Sequence, residues 1–243
     1  MVKEITYKPY GKKAILIECI PVINDEILNK IIGFKHKIEL HKKNIITDLI
    51  IGYNSLTIKY SIEVEDYSKE VKNLDVLYAS INKIVSQSNY LWKIPVCYDD
   101  EFGIDLIEVS KVSGLPKEEV INLHSKEIYT VFFIGFLPGF LYLGGLNEQL
   151  FVNRKANPRL QIEKGSVAIG GKQTGIYPLN SPGGWNVIGK SPIDFFNSKD
   201  ELPCFAKAGD KIEFTPISKT EFYFIENEIL KANYKISKTL LND

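Results

Sequence analysis

Arg154 and Arg159 stand five positions apart and are the only two arginines among the thirty basic residues of the chain. A guanidinium is planar and presents a fixed fork of N–H donors, so such a pair suits bidentate contacts to a carboxylate or phosphate, on a substrate or on a partner protein. A structural salt bridge is the competing use. Downstream, Lys172, Gln173 and Thr174 form a polar triplet flanked by glycines. It can meet an anionic or amide-bearing ligand if its loop faces a cleft, or tip a solvated hairpin if it does not. Trp185, after Ser181-Pro182-Gly183-Gly184, is placed either to floor a pocket or to plug a barrel end. His124 shares a helical face with Val120 and Ile121; it is a candidate acid–base group, although a lone histidine on an apolar face is more often a hydrogen-bonded core residue.

Several catalytic patterns are absent. A phosphate-binding loop is approached but missed, because Gly165 is one residue too far from Lys172 and Gln173 stands where Ser or Thr is required. There is no H-E-x-x-H, no G-x-S-x-G and no Cys/His cluster of metal-binding spacing, so no metal site is expected. The acidic run Asp99 to Glu101 reads as a solvated turn.

The elements that must carry these residues fall into two parts. Lys13 to Ile20 reads as a buried strand ended by Pro21. Asn24 is a plausible N-cap, and Ile27, Leu28, Ile31, Ile32 and Ile38 follow near helical spacing, which predicts a helix to about His41. Ile45 to Tyr53 and Leu56 to Tyr60 suit a hairpin, and a second helix is expected from Ser68, with a stripe at Val71, Leu74, Leu77, Ile81, Ile84 and Val85. The polar run Ser86 to Asn89 marks a boundary, giving an α+β domain over residues 1–90 and a second domain over 91–243.

The second part begins with a strand at Ile94 to Tyr98, followed by short helices from Asp105 to Gly114 and around Glu118 to Ser125. Eleven of the seventeen glycines then fall between Gly135 and Gly189. Strands are expected at Tyr129 to Phe136, Ser166 to Ile169, Trp185 to Ile188, Lys211 to Pro216 and Glu221 to Ile225, a texture that suggests a barrel or sandwich. Glycine density of this kind reflects tight corners, close approach to the main chain, or a pocket walled by backbone amides.

Thirty basic and thirty acidic side chains leave no net field to attract nucleic acid or an anionic membrane, and neither is expected as a partner. The charged start and the lack of a long apolar run predict a cytoplasmic protein, with Cys19, Cys97 and Cys204 as free thiols.

The strings IPVCYDDEFGIDLIEV (94–109), EVINLHS (119–125), IGFLPGFLYLGGL (134–146), PRLQIEKGSVAIGGKQTGIYP (158–178), SPGGWNVIGKSP (181–192) and PISKTEF (216–222) occur in this order. In order and spacing they resemble the B-subunit family of 5-oxoprolinases, also described as KipI-like or allophanate hydrolase subunit 1. Departures from the family pattern are mild: Leu141 where proline is common, Asn157 where threonine is common and Lys190 where arginine is common. The resemblance implies an α+β N-terminal domain followed by a cyclophilin-like β-barrel, similar to one half of the carboxyltransferase region of urea carboxylase. It also implies a C subunit supplying the other half of a shared site, an A subunit completing ring opening of 5-oxoproline to glutamate, and ATP with Mg2+ in the assembled complex, with no cofactor bound to the isolated chain. By residue type and place in these strings, Arg159, Lys172 and His124 are the catalytic candidates. Gly139, Gly170, Gly171, Gln173, Thr174, Pro182, Gly183, Gly184 and Trp185 are the substrate-binding candidates. Two other readings accompany the resemblance: inhibition of a sporulation-type histidine kinase, and allophanate or urea-related hydrolase or carboxyltransferase chemistry.

Overall fold

The computed structural model describes residues 4–81 and 88–241, which divide into two compact units, the second beginning at Ser88. In the first unit, β1 (Ile5–Pro9), β2 (Ala14–Cys19), β3 (Ile46–Ile51) and β4 (Ser55–Tyr60) form an antiparallel sheet of order β1-β2-β4-β3. Alternation sends Ile15, Ile17, Leu56 and Ile58 to one face, where Ile15 pairs with Ile58 and Ile17 with Leu56. Helix α1 (Asp25–Lys42) lays Ile27, Ile31, Phe34 and Ile38 into the same core, a spacing of four, three and four that forms one stripe. Burying each such apolar side chain stabilises the fold by roughly 1.5–3 kcal/mol.

The α1 boundary is readable in the sequence because Asn24 accepts a hydrogen bond from the Ile27 amide at 2.9 Å. Helix α2 (Tyr67–Ala79) starts one residue before the expected Ser68, since Asp66 accepts from the Lys69 amide. It stops at Ala79, so the expected stripe is helical only through Leu77. The Ile84 and Val85 positions of that stripe lie outside the described residues.

The second unit contains β5 (Asn89–Val96), α3 (Leu106–Ser113), α4 (Lys117–Lys126), β6 (Ile128–Ile134), β7 (Leu141–Gly144), a single turn of 3-10 helix (Glu148–Leu150), β8 (Arg159–Ile162), β9 (Ser166–Gly170), β10 (Gln173–Ile176), β11 (Ser181–Gly183), β12 (Asn186–Lys190), β13 (Lys211–Pro216), α5 (Lys219–Leu230) and β14 (Ser237–Leu241). Eight strands form one mixed sheet of order β12-β9-β10-β7-β6-β13-β5-β14, and β8 and β11 form a separate two-stranded sheet. Among these ladders only the β13–β5 pair is parallel.

Among the described residues the ladders do not close into a continuous barrel. The β14 strand occupies the outer edge of β5 along Asn89 to Lys93, so β12 meets that edge only beyond it. There Cys97 and Lys190 exchange two backbone hydrogen bonds of 2.8 and 2.9 Å. The observed architecture is therefore a mixed α/β unit built on a large sheet with one linking bridge.

One expected strand is corrected. Glu221 to Ile225 lies within α5, because Ser218 and Glu221 form a reciprocal capping box in which the Ser218 hydroxyl accepts from the Glu221 amide and the Glu221 carboxylate accepts from the Ser218 amide. The Ser-x-x-Glu spacing is present in the sequence, and Phe222, Ile225 and Ile229 follow it at helical intervals.

The glycines of β9 and β10 serve a second apolar layer. Val167 and Ile169 face the main core, whereas Ala168 faces a cluster of Phe140, Ile162, Tyr177, Trp185 and Val187 on the other side of the sheet. A Cβ on Gly170 would lie 2.6 Å from three atoms of the Trp185 ring, and one on Gly175 would lie 3.1 Å from that ring and 2.8 Å from the Leu141 carbonyl oxygen. The indole fills the space that side chains would otherwise take. Gly170→Ala is expected to destabilise the protein by roughly 1–3 kcal/mol through overpacking and to shift the tryptophan emission, as read by denaturant unfolding and fluorescence; wild-type stability in this variant would contradict the packing.

Candidate functional site

The sequence candidates gather chiefly around the β9–β10 hairpin and the segment that crosses it. Gly171, at φ +67, and Lys172 make the two-residue turn between Gly170 and Gln173, which are cross-strand partners. Lys172 is exposed, with its Nζ 5.7 Å from the Phe151 ring centroid. The Gly171 amide donates to the Val152 carbonyl at 2.7 Å, which places the chain entering Asn153 to Arg159 alongside this turn. Asn186 fixes that segment by donating from Nδ2 to the carbonyls of Asn153, at 3.0 Å, and Ile169, at 3.2 Å. The Lys155 amide donates to the Gly184 carbonyl at 2.7 Å, and Arg154 lies 5.5 Å over the Trp185 ring. Gly183 packs against Tyr177 with no room for a Cβ, and Pro182 is exposed on β11.

Arg159 is committed elsewhere. Its two terminal nitrogens donate to the two oxygens of Asp105, both at 2.7 Å. Asp105 is 2% exposed and accepts two further contacts, from the Val187 amide at 2.8 Å and the Lys155 ammonium at 2.9 Å. Its own amide donates to the Val187 carbonyl at 2.8 Å. Burial alone would raise the Asp105 pKa; Arg159, Lys155 and the Val187 amide outweigh it and hold the carboxyl below the usual range. The fork is thus used for a structural ion pair that locks β8, the start of α3 and β12. In the sequence Asp105 is legible only as a helix start, since burial of a carboxylate leaves no local pattern.

His124 is fully buried, between Tyr98 Oη at 2.8 Å from Nδ1 and Thr174 Oγ1 at 2.9 Å from Nε2. Thr174 donates its single hydroxyl proton to the Ala168 carbonyl at 3.1 Å, so His124 must donate from Nε2 and accept from Tyr98 at Nδ1. This is a neutral imidazole, and burial lowers its pKa to about 3. The ring stacks on Phe214 at 4.7 Å, and Tyr129 donates to the His124 carbonyl. His124 and Thr174 accordingly occupy the core beneath the hairpin, and Gln173 stands half-buried at its turn. Gly139 is apart from this group, at φ +82 and pressed against Phe195 and Phe196. A cleft of about 350 Å3 lined by Gln161, Lys164, Lys190, Asp194, Phe222 and Glu226 contains none of the sequence candidates.

Two outcomes follow from these geometries. Asp105→Asn is expected to lower unfolding free energy by roughly 3 kcal/mol, because it leaves two cations without their buried counter-charge, while Arg159→Lys costs about 1 kcal/mol by losing only the fork. Urea titration checks the order of the two; equal effects would remove the bidentate argument. For His124, the unfolded chain takes up the extra proton near pH 6.5 and the folded chain only near pH 3, so this group destabilises the fold as pH falls through that window, by about 1.4 kcal/mol per pH unit. The stability difference between wild type and His124→Gln should narrow from pH 6 to pH 5; a constant difference would rule out a buried neutral histidine.

The chain matches the family model for the carboxyltransferase domain, subdomain C and D, over residues 5–206. It is 34% identical to the B subunit of the Bacillus subtilis 5-oxoprolinase, covering 90% of this chain and 95% of that one. With the B subunit of the Haemophilus influenzae 5-oxoprolinase it shares 41% identity, over 72% of this chain and 82% of the other. Among solved structures, TTHA0988 superposes with a TM-score of 0.74 at 29% identity, covering 86% of this chain, which spans 40% of that protein. The Kluyveromyces lactis urea amidolyase has the same fold over 98% of this chain, with a TM-score of 0.82 at 19% identity, the chain spanning 16% of that protein. By the family model and by similarity along most of both chains, this protein belongs to the 5-oxoprolinase B-subunit family of carboxyltransferase-type domains.

Proposed function

We propose that this chain is the B subunit of an ATP-dependent 5-oxoprolinase, a cytoplasmic protein that acts with a C subunit to activate 5-oxoproline and an A subunit to give L-glutamate. The carrying observation is the similarity to 5-oxoprolinase B subunits along nearly their whole length. In this reading the second unit is a cyclophilin-like barrel, linked through the Cys97–Lys190 bridge, and it forms one wall of a site completed by the C subunit. The chain alone is then inactive.

The chemistry suits the surface. A lactam carbonyl is a poor electrophile, and when bound, ATP supplies the phosphoryl group that makes its oxygen a leaving group. Exposed Lys172 fits phosphate oxygens, offering a point charge. In this reading Mg2+ enters with the nucleotide. Arg159 acts as a positioning residue through Asp105, and His124 keeps the hairpin seated on its core. Gln173, Gly170, Gly184 and Trp185 shape the substrate side.

The urea amidolyases of yeasts favour a second reading, carboxyl-transfer chemistry on urea, with 24% identity to the Saccharomyces cerevisiae protein over 14% of its length. Mixing purified B, C and A subunits with ATP and 5-oxoproline separates the two. ADP and glutamate should appear only in the complete mixture, and Lys172→Ala should reduce their rate roughly 100-fold. No glutamate from the complete mixture would sink the oxoprolinase assignment.

A further inference from the structure

Arg154 differs from Arg159 in what it has been given to do. Among the described residues its guanidinium makes no ion pair, although the residues on either side are fixed: the Asn153 carbonyl by Asn186 and the Lys155 amide by Gly184. With the backbone pinned on both flanks, a ligand meeting the exposed Arg154 has only the side chain left to order. The indole beneath it is closely packed, set on Gly170 and Gly175 and edge-to-face with Phe140 at 5.6 Å and Tyr142 at 5.9 Å. A guanidinium held near an indole by cation–π attraction still has its N–H fork to offer a planar acceptor.

Beside the cation lies an aromatic shelf. Phe133, Tyr142, Gly175, Ala168 and Val187 are successive cross-strand partners on β6, β7, β10, β9 and β12 and so share one face of the sheet. Phe133 and Tyr142 are half-buried and stack at 4.3 Å with their planes 10° apart. Phe136 extends the shelf edgewise through Phe140, at 5.9 Å and 89°, and is unusual in two respects. It sits at φ +66, where a bulky residue is strained, and it is 68% exposed.

We infer that Arg154 binds the carboxylate of the substrate, with the flat lactam ring of 5-oxoproline lying against the Phe133–Tyr142 shelf. The inference rests on the oxoprolinase reading above and goes beyond it by dividing the cations: Lys172 faces phosphate, Arg154 faces carboxylate, and Arg159 faces neither. The fork geometry of a guanidinium matches two carboxylate oxygens, and an aromatic face accepts a planar amide.

The test uses the reconstituted B, C and A complex carrying Arg154→Gln or Arg154→Lys. The KM for 5-oxoproline should rise roughly 10- to 100-fold in the Gln variant and less in the Lys variant, which keeps the charge, with the KM for ATP unchanged. Because Arg154 is exposed, the unfolding midpoint of both variants should stay at the wild-type value, and this is measured alongside. A rise in the KM for ATP instead would show that Arg154 serves phosphate and would overturn the inference, as would a wild-type KM for 5-oxoproline in both variants. Wild-type complex without glutamate release is a different result, since it removes the oxoprolinase reading itself.

Discussion

The buried carboxylate of Asp105 is the point on which the second unit turns. It receives the Arg159 fork, the Lys155 ammonium and the Val187 amide, and its own backbone amide pairs with the Val187 carbonyl. Each partner belongs to a different segment, so one side chain joins the start of α3, β8, the loop carrying Arg154, and β12. A single buried charge is costly, but four donors on two oxygens leave little of that cost uncompensated. Removing the charge would release several segments at once, because none of them is held to the others by a long ladder.

The second constraint is the exchange of side chains between glycines and aromatics. Gly170, Gly175 and Gly183 stand where Trp185 and Tyr177 need room, and the rings in turn give the outer layer most of its apolar surface. Much of the glycine density therefore serves packing, while Gly171 serves backbone geometry in the turn that presents Lys172. Beneath them the relay from Tyr98 through His124 and Thr174 to the Ala168 carbonyl satisfies every buried polar atom in the chain of contacts and binds α4 to the hairpin. Core and surface are thus coupled through β10, where Thr174 faces inward and Gly175 faces the indole.

This division of labour bears on how the surface can act. Arg159, which the sequence nominated for ligand contact, is neutralised by Asp105, whereas Lys172 and Arg154 keep exposed charge on segments whose backbones are fixed. Exposed cations on segments whose backbones are hydrogen-bonded suit contact with anionic groups.

What the sequence determined by itself was local or carried by ordered strings. Asn24 marked the start of α1, the hydrophobic stripes marked α1 and the first part of α2, Gly114 in the left-handed conformation ended α3, and the motif strings from Ile94 onward identified the family. The Ser218 and Glu221 capping box was equally local, and reading that stretch as a strand passed over it. What only the tertiary structure decided was which polar residues were already spoken for. Arg159 and Asp105 are 54 positions apart, His124 and Thr174 are 50 apart, and the Trp185 ring meets Gly170 and Gly175 across a turn of chain. Residue type states what a side chain can bind; long-range packing determines whether that capacity is spent inside the molecule or left for a ligand, because a buried charge or donor must find its partner wherever the fold brings one.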